Sequence, residues 1–399
     1  MRVAFLTIGR YPTTVAHAGG DVRIWQDLAS LKALGHEIHL VACDPRGELE
    51  AGIRAMCSSV TKLESHVPAR YSLDWLLTRG FNPETLLMRM PDVHGLRSAV
   101  AIEIDRVRPD FVWAEEQLTG VLVPRGVPFI LGHVDFYFRL MRVRSQFRTI
   151  RRPNTMTNAG LEKFEYELSR RALMTLVASE TDAELFRRRG IAAQYIPVVG
   201  ATLPPPDPKK FSSGRFFLFG KANTAMRAAR HHLRTELWPA LDDELRRDWH
   251  QVGDPPSKPG EDPSWQWMTE RFTKVHGFIS DLFGLFEPGD ASMMPYPMDA
   301  SGHAKYATCM GYGLVNIGYE AGFVQTPELV PEENCLAPKT TAGLVDAMRR
   351  FRSDAKLRRR LADASRATYE EKFSFEAKVP DFERMLAAAF TNRVRSAAS

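Results

Sequence analysis

The 399-residue sequence has little cysteine and no long apolar run. Its four cysteines, Cys43, Cys57, Cys309 and Cys335, lie far apart and lack the short spacings of zinc sites. They therefore predict reduced thiols rather than disulfides or a metal centre. No stretch approaches the ~20 apolar residues that span a bilayer. The chain enters an apolar strand at 2–8 without the pattern of a signal peptide, which predicts a cytoplasmic protein.

Neither positive nor negative side chains are in large excess. The 53 Lys and Arg against 48 Asp and Glu give a net charge of +5, which does not argue for nucleic acid as a partner. One stretch, 136–152, mixes aromatic residues with arginines. A solvated basic helix face is the commonest outcome for such a run. The alternatives are arginines that reach a phosphate or a second domain, and an amphipathic segment in peripheral contact with the inner membrane surface.

Apolar runs of strand length alternate with helical segments along most of the chain. This order is typical of βα units in a parallel sheet and predicts an α/β protein. A proline-rich stretch at 204–214 breaks the alternation and predicts a semi-rigid linker. The predicted parts are therefore a domain at 1–203, the linker 204–214, a second domain at 215–373, a helix at 374–390 and a disordered tail at 391–399.

The stretch 275–323 carries the clearest strand, loop and helix order. A buried strand at 290–294 leads into a small polar loop and a helix near Ala304, and a strand at 314–317 leads into a loop at 318–322. Ligands of open α/β sheets bind at the carboxyl ends of such strands. Backbone N–H groups and a lysine there suit an anionic, phosphorylated small molecule. The polar residues of these loops are Asp299, Ser301, Gly302, Lys305, Tyr319 and Glu320.

Three features of the first half could contact a ligand. Gly19 and Gly20 precede a helix, where turn chemistry and ligand contact are equally good interpretations. His133 and Asp135 follow a strand, where a histidine suits acid–base work, although it could equally bond a neighbouring backbone group. The pair at 115–116, two glutamates after the preceding strand, could be catalytic, but a solvated loop is the favoured interpretation.

In the second half, the proline-rich and polar composition of residues 255–265 predicts an exposed excursion of the chain.

The order of several short motifs resembles the retaining glycosyltransferases of family 4, which have the GT-B fold. The resemblance covers most of the chain. Each motif is weak alone, and their order and spacing together carry it. The matching segments are Gly19-Gly20-Asp21 followed by Leu34-Gly35-His36-Glu37-Ile38, then Phe216 to Asn223 with Trp238-Pro239, Gly253, Val275 to Ile279, Gly289-Asp290-Ala291, Met310 to Val315, and Glu333-Asn334-Cys335-Leu336.

The resemblance implies two Rossmann-like domains that face one another across a cleft, with a C-terminal helix that crosses back to the N-terminal domain. It implies a nucleotide diphosphate sugar as the donor, bound mainly by the C-terminal domain, and no separate cofactor. The positions of the family's two donor-site glutamates are occupied here by Ala300 and Thr308. Lys305 matches a branch of the family in which a Gly/Ser loop is followed by a lysine three residues before the second glutamate. Lys221, with Arg227 or Arg230, stands for the family's Arg and Lys pair. The implied donor-side residues are Gly220, Lys221, Asn223, Arg227, Tyr296, Asp299, Ser301, Gly302, Lys305, Thr308, Tyr319 and Glu320.

The implied reaction moves a hexosyl group to a glycan, lipid-linked or small-molecule acceptor with retention of configuration. Gly19, Gly20 and Asp135 lie on the acceptor side, and His133, Lys221 and Lys305 are the catalytic candidates. Lysines and backbone N–H groups would balance the charge of the departing diphosphate. The sequence has no Asp-x-Asp motif, which predicts a metal-independent enzyme. The alternatives are a nucleotide-sugar epimerase or a phosphorylase, a non-catalytic scaffold in polysaccharide assembly, and a two-domain binding protein.

Overall fold

The computed structural model describes residues 1–14, 19–66, 70, 72–92, 95–133, 136–139, 155–207, 209–220, 224–256, 260, 262–279, 282–296 and 304–398. The chain divides into two compact units. Unit 1 comprises Met1–Ile196 together with Lys378–Ser399, and unit 2 comprises Pro197–Ala377. The division falls before the linker predicted at 204–214, because Val199 and Leu203 already pack into the core of unit 2.

Unit 1 is built on a seven-stranded parallel sheet in the order β3-β2-β1-β4-β5-β6-β7. Along β1 the side chains alternate between two buried layers, with Val3 and Phe5 on one face and Ala4 and Leu6 on the other. The strands are β1 (Arg2–Arg10), β2 (Glu37–Arg46), β3 (Ser59–Leu63), β4 (Phe111–Glu115), β5 (Phe129–His133), β6 (Met174–Val177) and β7 (Ala193–Tyr195).

Helices cover both faces of this sheet. They are α1 (Gly19–Ala33), α2 (Ala51–Met56), α3 (Leu73–Gly80), α4 (Pro83–Arg89), α5 (Leu96–Val107), α6 (Glu116–Gly120), α7 (Asn158–Arg171), α8 (Glu180–Arg187) and the C-terminal α16 (Phe375–Ala398). The start of α7 shows why such helices begin where they do, because the Thr157 hydroxyl accepts a hydrogen bond from the N–H of Gly160.

The C-terminal helix α16 returns the chain to unit 1. Phe382, Met385, Leu386 and Ala389 are all buried in the same apolar layer as Val3 and Phe5. The predicted return of this helix to the N-terminal domain is therefore confirmed. The helix runs to Ala398, so the disordered tail predicted at 391–399 is wrong as far as Ala398, since alanine and arginine in that segment favour helix.

Unit 2 is built on a six-stranded parallel sheet in the order β10-β9-β8-β11-β12-β13. Its strands are β8 (Phe216–Phe219), β9 (Trp249–Val252), β10 (Lys274–Val275), β11 (Ala291–Met294), β12 (Val315–Gly318) and β13 (Cys335–Leu336). Its helices are α9 (Thr224–His232), α10 (Trp238–Ala240), α11 (Pro263–Arg271), α12 (Ala304–Gly311), α13 (Glu320–Phe323), α14 (Thr341–Ser353) and α15 (Ala355–Thr368), with π-helical turns at Leu233–Leu237 and Tyr369–Phe373.

Two predicted segments differ from the structure of unit 2. The excursion predicted at 255–265 ends inside α11, where Asp262 and Ser264 are buried because the Asp262 carboxylate accepts the N–H of Ser264 and caps the helix. The loop predicted at 318–322 contains the short helix α13, whose Gly322 packs against Tyr296.

Candidate functional site

The strand order of the second sheet reverses between β8 and β11, and ligands of open α/β sheets bind at the carboxyl ends of the strands at such a point. Phe219 ends β8, and Tyr296 lies two residues after the end of β11. Lys305, in the first turn of α12, spans the gap between them. Its Nζ donates to the carbonyl of Phe219 at 3.2 Å and lies 2.5 Å from Tyr296 Oη.

Among the described residues, the groups in direct contact with the amino group of this lysine are apolar or neutral. Its Nζ contacts Met226 Sδ at 3.0 Å and lies 5.1 Å from the centre of the Tyr296 ring. Lys305 as a whole is half-buried, but its amino group is enclosed by these neighbours, and no carboxylate of the described residues forms an ion pair with it. Burial therefore lowers the pKa of Lys305 to about 7, and the nearby Arg230 acts in the same direction. Burial also raises the pKa of Tyr296, so that its phenol stays neutral.

The peptide group of Gly220, directly after β8, is held on both sides. Its N–H donates to the Val252 carbonyl at 2.8 Å. Its carbonyl accepts from Arg230 Nη2 at 3.0 Å and from Gln251 Nε2 at 3.2 Å. The backbone adopts φ +141°, and a Cβ here would lie 3.0 Å from Lys305 Nζ, so the position requires glycine.

Arg230 is a functional candidate whose role differs from the sequence interpretation. The resemblance makes it, or Arg227, the counterpart of the family's arginine, yet it is fully buried. Its Nη1 pairs with Asp262 at 3.1 Å, and its guanidinium stacks over Trp265 at 4.8 Å. The structure thus makes Arg230 a brace between α11 and the Gly220 carbonyl. Arg227, half-buried, lies one turn earlier on α9.

Of the remaining described donor-side candidates, Tyr319 and Thr308 form hydrogen bonds within unit 2, whereas the Glu320 side chain is 43% exposed and lies 3.5 Å from Lys339 Nζ. Tyr319 is buried, and its hydroxyl bonds His232 Nε2 at 2.8 Å and Thr341 Oγ1 at 3.0 Å. The Glu320 N–H, predicted to face a diphosphate, donates instead to the Pro338 carbonyl at 3.1 Å. Thr308, one turn beyond Lys305, donates its hydroxyl to the Ala304 carbonyl at 3.2 Å.

The first sheet reverses its strand order between β1 and β4. Arg10, at the end of β1, donates to Asp21 Oδ1 at 2.7 Å and to Glu116 Oε1 at 2.6 Å. Gly19 and Gly20 open α1 beside this pair of contacts, and a Cβ on Gly20 would lie 3.0 Å from the Arg10 guanidinium. A side chain at this position would require the Arg10 guanidinium to shift by a few tenths of an ångström, and both interpretations of Gly19 and Gly20 stay predictions.

His133 is the last residue of β5, whereas the sequence predicts it in the loop after the strand, and its side chain is only 1% exposed. Its Nδ1 lies 3.2 Å from Gln117 Nε2, and its Nε2 lies 3.8 Å from Glu165 Oε1. Burial raises the pKa of Glu165 to about 8, although its carboxylate accepts two backbone N–H groups at residues 137 and 138. The histidine is thus part of an interior polar cluster of unit 1 rather than a surface group.

The two glutamates at 115–116 have opposite environments. Glu116 is half-buried at the Arg10 ion pair, but the solvated loop predicted for Glu115 is wrong, because Glu115 is 1% exposed and accepts from Trp113 Nε1 at 2.8 Å. The buried pair Arg23 and Asp27, 3.0 Å apart, lies beside it. Burial raises the pKa of Glu115 well above its usual range. The Arg23 guanidinium thus lies beside two carboxyl groups, those of Asp27 and Glu115, and can balance the charge of one of them.

Comparison with known proteins adds to this geometry. No family model matches the sequence, and no curated protein matches it. Solved structures do match over almost the whole chain. Sucrose-phosphate synthase from Thermosynechococcus elongatus has a TM-score of 0.69 at 14% identity and covers 98% of this chain and 99% of its own. Anabaena HepE in complex with UDP and glucose has a TM-score of 0.66 at 13% identity over 97% of this chain and 100% of its own. The chain has the GT-B fold.

A third match with the GT-B fold is WaaG, a glycosyltransferase involved in lipopolysaccharide biosynthesis, with a TM-score of 0.61 at 13% identity over 97% of this chain and 99% of its own. The predicted α/β class and two Rossmann-like domains are therefore confirmed. Several predicted site residues of the GT-B fold lie outside the described residues, namely Asp135, Lys221, Asn223, Asp299, Ser301 and Gly302.

The described part of this GT-B chain contains neither a cluster of metal-ligand side chains nor a membrane-spanning helix. There, no group of three or more His, Cys, Asp or Glu side chains is arranged to hold a metal ion. None of the described helices combines the length and apolarity needed to cross a bilayer. Metal independence and the absence of a cofactor stay predictions from the sequence.

Proposed function

We propose that this protein is a glycosyltransferase that moves a hexosyl group from a nucleotide diphosphate sugar to a glycan, lipid-linked or small-molecule acceptor. The observation that carries the proposal is Lys305, a lysine without a carboxylate partner among the described residues, at the strand ends where the second sheet of a GT-B fold reverses its order. The named complexes of HepE with UDP and with UDP-glucose support a nucleotide sugar as the donor.

In the proposed mechanism, unit 2 binds the donor. Lys305 and Lys221 offset the negative charge that the diphosphate gains as it leaves, and preorganised cations do this without a metal ion. The braced Gly220 peptide fixes the end of β8 against which the diphosphate would rest. The acceptor binds to unit 1, with Gly19, Gly20 and Asp135 on the acceptor side. The reaction proceeds with retention, as the motif resemblance implies.

The donor assignment is tested by thermal unfolding of the full chain with UDP-glucose, UDP-galactose, GDP-mannose and ADP-glucose. One of them is expected to raise the unfolding temperature, because a ligand that binds only the folded state stabilises it. Lys305→Ala should lower the affinity for that donor at least about tenfold, since a charged hydrogen bond contributes about 1.5–3 kcal/mol. Lys356→Ala, at an exposed position of α15, is the matched control and should bind as the unmodified protein does.

A non-catalytic scaffold is the second candidate function. It is favoured by Ala300 and Thr308 at the two positions where the resembled family carries glutamates, since the Thr308 hydroxyl bonds its own helix. Stabilisation by none of the four nucleotide sugars would support the scaffold and contradict the transferase. Release of UDP or another nucleotide diphosphate only when an acceptor is present would exclude an epimerase.

A further inference from the structure

The amino group of Lys305 has three neighbours that carry no charge, namely the Phe219 carbonyl at 3.2 Å, Tyr296 Oη at 2.5 Å and Met226 Sδ at 3.0 Å. An ammonium can only donate, whereas a neutral amine donates two hydrogen bonds and accepts one. The carbonyl and the thioether are acceptors, and the Tyr296 hydroxyl, which donates to Met226 Sδ at 2.8 Å, can rotate to donate to a neutral amine instead. This environment therefore satisfies the neutral amine as well as the ammonium.

Among the described residues, no anionic group lies against the amino group of Lys305. On α9, Arg230 is a buried cation whose charge is already balanced by Asp262 at 3.1 Å. On α12 itself, burial raises the pKa of the Cys309 thiol to about 12, so this thiol is neutral. After β11, the phenol of Tyr296 is neutral because burial raises its pKa. Burial without a counter-charge lowers the pKa of Lys305 to about 7.

No side chain of the described residues supplies a counter-charge to the Lys305 ammonium. Lys305 lies at the carboxyl ends of β8 and β11, where the proposed donor would place two negative phosphates. We propose that binding of the diphosphate of a nucleotide sugar at this point is coupled to the uptake of one proton by Lys305. An opposite charge within ~6 Å favours the ammonium, so the coupling does not require direct contact with the phosphate. The inference rests on the proposed function for the identity of its ligand.

The coupling has a definite sign. The ligand prefers the protonated lysine, so a rise in pH opposes binding. At pH 8 the unliganded amine is mostly neutral, and about 0.9 of a proton should be taken up for each ligand bound. At pH 6 the amine is already protonated, and the uptake should fall to about 0.1. Above pH 7 the affinity should fall by a factor that approaches tenfold for each unit of pH.

Titration calorimetry of the full chain with UDP-glucose, or with the panel nucleotide sugar that binds in its place, measures this uptake. The two phosphates of such a donor are both diesters and do not titrate between pH 6 and 8. At a single pH, the observed enthalpy is plotted against the ionisation enthalpy of Tris, HEPES and phosphate buffers. The slope is the number of protons taken up, and it should be about 0.9 at pH 8 and about 0.1 at pH 6.

Two variants assign the proton to its site. Lys305→Arg stays cationic at both pH values, so its slope should be near zero even though its affinity is altered. Lys305→Met is neutral at both and should also show no uptake. Lys356→Arg, on the surface of α15, should keep the slope of the unmodified protein. The thermal unfolding of each variant is measured first, so that a folding defect is recognised before calorimetry.

The outcomes separate the two proposals. A ligand that binds with zero slope at pH 8 overturns the proton coupling and leaves the donor assignment standing. A slope that persists in Lys305→Arg places the proton elsewhere and also overturns it. Binding of no nucleotide sugar at all contradicts the proposed function, and the coupling then falls with it.

Discussion

Arg230 shows how one buried side chain can shape a site that it does not enter. Its guanidinium donates to both Asp262 and the Gly220 carbonyl and stacks over Trp265. Arg230→Gln leaves the buried Asp262 carboxylate without a cation, which should lower the free energy of unfolding of unit 2 by about 3–5 kcal/mol. Urea unfolding followed by tryptophan fluorescence measures the change.

The helix α11 supplies the control for this prediction. Arg271 also lies over a tryptophan, Trp267, at 5.7 Å, but its side chain is 43% exposed. Arg271→Gln should therefore change the free energy of unfolding by less than about 0.5 kcal/mol. Equal effects of the two substitutions would show that Arg230 is no brace.

At the scale of single residues, the sequence predicts where a side chain lies along a strand or helix better than it predicts which side chains contact it. The Ser-Gly loop and the following helix predicted that Lys305 would lie at a strand end, and it does. Nothing in the sequence predicted that Asp262, 32 residues beyond Arg230, would pair with it, because the strand Trp249–Val252 and a polar, proline-rich stretch lie between them. His133 is predicted in the loop after its strand but ends that strand, and its burial depends on Phe136 and Phe186, which pack against its ring.

The edge of the second sheet carries a histidine pair that should make stability depend on pH. His250 Nδ1 on β9 lies 3.1 Å from His276 Nε2, just after β10, and the ring stacks on Phe217. A hydrogen bond between two imidazoles requires one ring nitrogen to accept, so it is lost when both are protonated. Burial lowers the pKa of His250 to about 4 and also lowers the pKa of His276.

Both shifts lie below the ordinary histidine pKa of ~6.5, so the unfolded chain binds more protons than the folded one between these values. Stability is therefore expected to be full above pH 6.5 and to fall as the pH drops towards about 4. Urea unfolding midpoints at pH 7.5 and pH 4.5 measure the fall. His250→Gln should reduce it, whereas His231→Gln, at an exposed position, should leave it unchanged. An identical fall in all three proteins would refute the assignment.

Whole elements were predicted best where apolar residues alone decide them. The strand predicted at 290–294 is found at Ala291–Met294 with all four residues buried, and the helix predicted near Ala304 begins at that residue. The start of α11 was missed, since its first turn depends on the Asp262 cap and on proline at the next position. The start of α11 thus depends on the hydrogen bonds of particular polar residues, which the pattern of hydrophobic residues does not reveal.

Across the whole molecule, the chain order and the two units do not coincide. Unit 2 is one continuous segment, whereas unit 1 needs both Met1–Ile196 and the segment from Lys378. The proline-rich stretch predicted the boundary approximately, but Ile196 belongs to the core of unit 1 and Val199 to that of unit 2. The division therefore lies between Ile196 and Val199, where the side chains change from one core to the other, and it is set by packing rather than by composition.

The C-terminal segment of unit 1 contributes a buried aromatic ring to the core of that unit. Phe382 is fully buried among Val3, Phe5 and Trp113, and its ring stacks on Trp113 at 6.0 Å. Phe382→Ala should lower the free energy of unfolding of unit 1 by about 3–5 kcal/mol, because it removes a buried ring and leaves a cavity. Glu383→Ala, at the next and exposed position of α16, should change it by less than about 0.5 kcal/mol.

The same reasoning extends to truncation. The fragment 197–377 keeps every strand of the second sheet and should unfold cooperatively by itself, whereas 1–196 exposes the apolar layer that α16 covers and should aggregate or bind a hydrophobic dye. A peptide of residues 378–399 added to 1–196 should restore a cooperative transition by circular dichroism. If 1–196 instead folds alone with the stability of the intact unit, α16 contributes no packing energy, and the return of the chain to unit 1 has no role in its stability.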